Sequence, residues 1–251
     1  MTEPKRVTAA VLIIGNEILS GRTQDTNLAH LARTLNGWGI QVREARVVPD
    51  LEAEIVEAVN ALRARHDYLF TTGGIGPTHD DITAGCIASA FGVELVLDER
   101  IAAVVRSRPS PPEVMAARLR MAQIPRGAGL IDNPQGPPGF CIGNVYVMAG
   151  IPRIMQQMLA SLEGRLERGV VIRSRSITAY VSEGQIAQGL GAIQQRHPQL
   201  DVGSYPFHRD GRYGTTLVLR GSDEAALDTA AAEAQALVRT LGVEPEDTVA
   251  G

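Results

Sequence analysis

The chain has 251 residues, 44% of them hydrophobic, a formal net charge of −4, and only 4% aromatic side chains. That is enough apolar material for one well-buried core and a smaller second one. A mild acidic excess, arginines scattered along the chain and few stacking platforms exclude nucleic acid as the main partner.

Met1-Thr2-Glu3-Pro4-Lys5-Arg6 leads into an apolar run, Val7 to Ile14, that Gly15-Asn16-Glu17 closes at once. The run is too short for a secretory leader or a membrane span, so a cytoplasmic protein without membrane contact is expected. Cys86 and Cys141 are the only cysteines, lack metal-ligand spacing, and read as small buried apolar residues in a reducing compartment.

Val7 to Ile14 has the length of a strand, and Leu28, Leu31, Leu35 and Trp38 follow at helical spacing until Gly37 and Gly39 stop them. Gln41 to Val48 reads as a second strand ending at Pro49-Asp50, with a helix from Leu51 through Ile55, Val59 and Leu62. Tyr68 to Thr72 is the third strand. Strands that alternate with helices of this length form parallel βαβ units, and strands buried on both faces explain the unbroken hydrophobicity. The expected fold class is therefore α/β, an open, doubly wound, mostly parallel sheet.

A helix from Ala84 to Phe91, a short strand from Val93 to Leu97 and helical segments on either side of Pro109 to Pro112 come next. Ile131 to Phe140 is a Pro/Gly turn region without regular structure. A closing strand, Val145 to Met148, and a helix from Pro152 to Glu167 complete a first domain of residues 1–168. The pattern then changes: a strand Ser176 to Val181, a helix Glu183 to Gln195, strands Asp201 to Pro206 and Thr215 to Arg220, and an Ala-rich helix Asp223 to Leu241. This order predicts a second, smaller α+β domain, residues 169–251, with fraying after Val243.

The most informative run is Thr71-Thr72-Gly73-Gly74-Ile75-Gly76-Pro77-Thr78-His79-Asp80-Asp81-Ile82-Thr83, which follows the third strand and packs three glycines into four residues. Glycine lets the backbone approach phosphate oxygens at positive φ, and a helix starting near Asp81 to Thr83 aims N–H groups and its positive end at the same point. Carboxylates beside a phosphate repel it unless a divalent cation lies between, so Mg²⁺, Mn²⁺ or Co²⁺ is the expected cofactor.

In parallel sheets, ligands sit beyond the carboxyl ends of the strands. Glu17 follows the first strand, Asp50 the second, and Asp80 and Asp81 the third, so all four are candidates to converge there. Each also has a structural reading: Asp50 suits a cap on the helix from Leu51, Asp81 or Thr83 a cap on the next helix, and His79 an ordinary surface position.

The glycine run resembles the signature of the molybdopterin-binding domain family, which includes molybdenum cofactor biosynthesis proteins, gephyrin and the N-terminal domain of competence/damage-inducible protein A. Gly15-Asn16-Glu17-Ile18-Leu19-Ser20-Gly21 with Thr26-Asn27, Val48-Pro49-Asp50, Asn133 to Phe140, and Met148-Ala149-Gly150-Ile151-Pro152 with Met155 fall in that family's order. The nearest resemblance, over about residues 6 to 165, is to the competence/damage-inducible branch and to the molybdopterin-binding-like domain of eukaryotic FAD synthases.

This resemblance implies that Gly73, Gly74, Gly76 and Thr78 line a phosphate or pterin site, with Pro77, Asp80 and Thr83 beside them and Gly15, Glu17 and Asn27 on the adjoining loop. Asp50 and Asp81 are implied as the catalytic and metal-holding pair. The ligand is a small-molecule nucleotide or pterin, with molybdopterin as a further implied cofactor. The chemistry implied for the nearest branch is metal-dependent hydrolysis of a dinucleotide pyrophosphate such as ADP-ribose or FAD; for the cofactor-assembly branch it is adenylyl transfer to molybdopterin. A homo-oligomer is implied as well. With the sequence ending at residue 251, neither an amidase domain nor a separate adenylyltransferase domain is expected.

Overall fold

The computed structural model describes residues 5–209 and 211–250, with side chains through residue 246. Residues 1–4, the start of the N-terminal lead, lie outside the described residues. Two compact units divide between Gly169 and Val170.

The first unit runs β1 (Val7–Ile14), α1 (Asn16–Leu19), α2 (Asn27–Gly37), β2 (Ile40–Val48), α3 (Glu52–Arg65), β3 (Tyr68–Thr72) and α4 (Thr83–Phe91). It continues with β4 (Leu95–Leu97), α5 (Glu99–Arg106), α6 (Pro112–Leu119), β5 (Gln123–Pro125), β6 (Gly129–Ile131), β7 (Gly139–Ile142), β8 (Val145–Met148) and α7 (Pro152–Ala160). Six strands form one sheet in the order β2-β1-β3-β8-β7-β6, and β4 pairs with β5 separately. β2, β1, β3 and β8 are parallel, whereas β7 and β6 are antiparallel.

β1 lies between two strands and is covered on both faces, which is why its sequence is almost wholly apolar. Its period of two divides the layers. Ala10, Leu12 and Ile14 pack with Ile55, Val59 and Leu62 of α3 and Ile87 of α4; Val7, Ala9, Val11 and Ile13 pack with Leu31 and Leu35 of α2 and Met155 and Leu159 of α7. The result is an α/β/α sandwich. Truncating Leu12, wholly buried at its centre, to Ala would cost about 2–5 kcal/mol.

The second unit has β9 (Arg173–Ala179), α8 (Glu183–Arg196), β10 (Asp201–Arg209), β11 (Arg212–Gly221), α9 (Glu224–Thr240) and β12 (Glu246–Ala250). Its antiparallel sheet has the order β10-β11-β9-β12 and its own core, with Ile177, Leu217 and Leu219 against Ile186, Leu190, Leu227 and Val238. A Ser182–Gln185 capping box starts α8, and the Asp223 side chain accepts from the Ala226 N–H at 3.1 Å to start α9.

Several expectations need correction. The segment after Val243 is not frayed: Glu246–Ala250 pairs with β9, covering an edge that would otherwise present unpaired backbone groups. The 131–140 region is not wholly irregular, because Ile131 ends β6 and Gly139 begins β7, with the turn between them held by Asn133 Nδ2 donating to the Pro137 carbonyl at 3.0 Å. The helix begun at Pro152 stops at Ala160 and continues as tight turns that still bury Leu162 and Leu166, so the apolar spacing survived where the α-helical bonding did not.

Candidate functional site

The chain passes from β1 outward to β2 and then back past β1 to β3, so the carboxyl ends of β1 and β3 flank the point where the winding reverses. A cleft of about 60 Å³ opens there, lined by Ile13, Ile14, Glu17, Thr72, Gly73 and Gly150, with residues 23–27 along its other wall. A larger open depression of about 520 Å³ lies on the second unit, between α8 and the edge strand β10.

The glycine loop is tied down from three sides. The Gly73 N–H donates to the Met148 carbonyl at 3.2 Å, extending the β3–β8 ladder. The buried Thr83 hydroxyl donates to the Gly73 carbonyl at 3.0 Å, and the Thr83 N–H donates to the Gly74 carbonyl at 3.0 Å. Gly73 has φ 104°, and a Cβ there would stand 2.1 Å from the Ile14 carbonyl oxygen, so only glycine lets the ends of β3 and β1 meet.

Thr83 therefore spends its own N–H inside the loop rather than on a ligand. Among the described residues, no protein acceptor takes the N–H groups of Gly74, Ile75 or Gly76. Three successive unpaired backbone donors at the end of a central strand are groups of the kind that can meet an anion.

Beyond Gly76 the chain folds into a tight turn, where Thr78 donates both its N–H, at 2.8 Å, and its hydroxyl to Asp81 Oδ2. The Asp81 carboxylate also packs on Gly76, where a Cβ would come within 2.6 Å of Oδ2. The cap of α4 is Ile82, without a side-chain hydrogen bond, so neither Asp81 nor Thr83 plays that part. Asp80 is exposed, and the Thr78 hydroxyl donates to Asp81 in its place. His79 is 95% exposed, as its surface reading expects.

Asp50 does not cap the helix after it. The cap of α3 is Leu51, with no side-chain bond, and Asp50 Oδ2 instead accepts the Asn16 N–H at 2.9 Å, joining the loop after β2 to the loop after β1. The reason is position: the Gly15 N–H extends the ladder to the Val48 carbonyl at 3.1 Å and brings the next N–H onto Asp50. Glu17 folds its carboxylate over Gly15, which has no side chain to block it.

The structure thus gathers Glu17, Asn27 and Gly73 around one cleft and places Asp80, Asp81, Pro77 and Thr78 in the turn beyond the glycines. Among the described residues, no three His, Cys, Asp or Glu side chains form a group able to hold a metal ion. Thr72 and Gly150 fall within the sequence motifs but are not singled out there as site residues, since a threonine in a strand reads as β propensity and a glycine in Ala149-Gly150 as a turn. Cys86 and Cys141 are free, and burial pushes the Cys86 thiol up to about 11, which fits a packing role. No helix among the described residues is long and apolar enough to cross a membrane.

Residues 10–168 match the family described as "Probable molybdopterin binding domain", and residues 171–247 match "FAD synthase, middle domain". A protein of Pyrobaculum calidifontis is 36% identical over 217 residues, covering 79% of this chain and 80% of the relative. A CinA-like protein of Desulfosudis oleivorans is 41% identical over 162 residues, 60% of this chain but 38% of the relative. The crystal structure of CinA from Thermoplasma acidophilum, described as of unknown function, superposes with a TM-score of 0.58 at 34% identity, over 64% of this chain and 99% of that one. With the match spanning more than half of its length and the parallel sheet and glycine loop in place, the chain belongs to the molybdopterin-binding domain family.

Proposed function

We propose that the protein is a metal-dependent nucleotide pyrophosphatase that cleaves the phosphoric anhydride of a dinucleotide such as ADP-ribose or FAD. The observation that carries this reading is the row of free N–H groups at Gly74, Ile75 and Gly76, set between the strand ends and the Asp80-Asp81 turn. Backbone donors fix the phosphates, and acids next to them serve chemistry at phosphorus. The match of residues 171–247 to an FAD synthase domain favours a flavin or adenine dinucleotide.

The implied divalent ion fits the donor chemistry in a limited way. Asp50 and Asp81 each have Oδ2 engaged by protein donors, and among the described residues no group of three His, Cys, Asp or Glu side chains makes a cage of protein alone. It suits an ion such as Mg²⁺, which is commonly held by one or two carboxylates together with substrate phosphates and water. When bound, the ion would neutralise charge on the phosphates and make a water more acidic. Asp50 or Asp81 would hold it or accept a proton from the attacking water, and the loop N–H groups would orient the anhydride.

A second reading is a molybdopterin- or nucleotide-binding role, or adenylyl transfer in cofactor assembly. It is favoured by the family match over residues 10–168. Homo-oligomerisation, cytoplasmic location and a small-molecule partner belong to the same proposal. The deciding experiment strips the purified protein of metal, restores Co²⁺, Mn²⁺ or Mg²⁺, and follows AMP release from ADP-ribose, FAD and ATP. Metal-dependent AMP from either dinucleotide supports hydrolysis; no AMP from any of them overturns it and leaves the binding reading to a molybdopterin titration. Light scattering on the same sample tests the oligomer.

A further inference from the structure

The sheet of the second unit packs both of that unit's long helices on one face. Ile177, Leu217 and Leu219 lie against α8 and α9, so strand alternation turns Tyr205 and Phe207 of β10, and Gly214 and Thr216 of β11, to the opposite face. Rings are bedded there on glycine. Phe207 lies across Gly214, its cross-strand partner, where a Cβ would stand 2.3 Å from Cζ, and it meets the ring of Tyr180, next after β9, edge-on at 5.6 Å between centroids. Tyr205, on the same face, is 50% exposed and leans over Gly203.

Two arginines close this face at the hairpin. Arg209 and Arg212 stand directly opposite each other as the end pair of the β10–β11 ladder, a position at which like charges repel. Among the described residues neither has a carboxylate partner. Each guanidinium lies instead on a ring, Arg212 at 3.7 Å from the Tyr180 centroid and Arg209 at 5.3 Å from that of Phe207. Asp210, between them in sequence, lies outside the described residues, and its single charge leaves the pair in positive excess. A ring takes the face of a guanidinium and leaves free its N–H edge, the part that bonds two phosphate oxygens at once.

The surface therefore asks for an anion with a ring attached. A bare phosphate would answer the arginines and leave Tyr205 unused, whereas an apolar partner would bury two unpaired charges at high cost. Because Arg209 folds back over Phe207, its charge stands about one two-residue step, roughly 7 Å along β10, from the place of Tyr205. A ribose bridges a gap of that order between a base and its phosphates.

We propose that this face of the second unit binds a nucleoside diphosphate, with the base stacked on Tyr205 and the phosphates held between Arg209 and Arg212. The site uses no residue of the glycine loop and does not rest on the pyrophosphatase reading.

Equilibrium dialysis of labelled ADP against the full chain, with metal chelated, counts the sites and gives their affinities. The double variant Arg209→Gln, Arg212→Gln should bind one ADP fewer per chain than the unmodified protein, whatever the glycine loop holds, and should leave AMP release from ADP-ribose unchanged. Arg212→Lys keeps the charge but loses the planar fork, so it should weaken ADP at this site about fivefold. Tyr205→Ala should weaken ADP about fivefold or more while keeping inorganic pyrophosphate within about twofold, a split that loss of fold cannot produce.

An equal number of ADP molecules on the unmodified protein and the double variant overturns the site. Equal weakening of ADP and pyrophosphate by Tyr205→Ala overturns it too, as does a single-stranded oligonucleotide that binds far more tightly than ADP and more tightly with length. A site lost in the double variant, with no AMP released from any dinucleotide by the unmodified protein, upholds this inference and sinks the pyrophosphatase reading alone.

Discussion

The Asp50 carboxylate at the end of β2 accepts the backbone N–H of Asn16 at the end of β1, at 2.9 Å. Two loops far apart in sequence are thereby locked together by a charge-assisted bond, and one oxygen of an expected catalytic acid is engaged in structure. Asp50→Ala should lower stability by about 1–2 kcal/mol, while Asp50→Asn, which keeps an acceptor, should lower it by less than about 1. Both should reduce AMP release about a hundredfold or more if Asp50 holds the metal. Thermal melts run beside the AMP assay separate the two roles; full activity in Asp50→Asn would reduce the residue to its tie with Asn16.

Glycines in the loop differ in what they protect. Gly73→Ala drives a Cβ against the Ile14 carbonyl oxygen, 2.1 Å away, at φ 104°, and should cost about 3 kcal/mol or more. Gly76→Ala meets only the Asp81 carboxylate, at 2.6 Å from Oδ2, so that side chain must swing aside. Gly76→Ala should therefore keep stability within about 1 kcal/mol and lose activity. Chemical denaturation together with turnover would reveal the contrast, and similar losses of stability in both variants would contradict it.

Thr83 is wholly buried and its hydroxyl holds the Gly73 carbonyl at 3.0 Å. Thr83→Val removes that donor and leaves a buried carbonyl without it, at a cost of about 1–3 kcal/mol. Thr83→Ser should recover most of the loss. Weaker binding of a nucleotide diphosphate by Thr83→Val, restored in Thr83→Ser, would link the anchor to the anion loop; unchanged affinity in both would confine it to stability.

Acid should expose the ties at the other end of the sheet. The Asp67 carboxyl accepts the Thr8 N–H at 2.7 Å and the Thr8 hydroxyl at 2.9 Å, and these bonds, the N–H first, hold it below its ordinary 3.8. A carboxyl depressed in the folded state gives its full stabilisation above the unfolded value and loses it as pH falls through the folded one. The melting temperature should be flat in this contribution above about pH 5 and fall below about pH 4. Asp67→Asn should flatten the decline; an unchanged acid limb would assign it to other carboxylates.

Much of the scaffold is written locally. The unbroken apolar runs at 7–14 and 68–72, the helical spacing of Leu31 and Leu35, and the Ala-rich face of α9 each depend on neighbours in sequence, and they predicted the parallel sheet and the smaller sandwich. The glycine loop was legible too, because positive φ at Gly73 and Gly74 requires a residue without Cβ. Tertiary structure decided where each polar group is spent. Asp50 binds Asn16 rather than its own helix, and Thr83 closes the loop rather than capping α4. Asn27 and Thr72 are left with unanswered oxygens at the junction of β1 and β3. Hydrogen bonds between distant segments depend on strand order and close approach, which leave no periodicity in the chain, and so the scaffold can be read from sequence while the assignment of its donors and acceptors cannot.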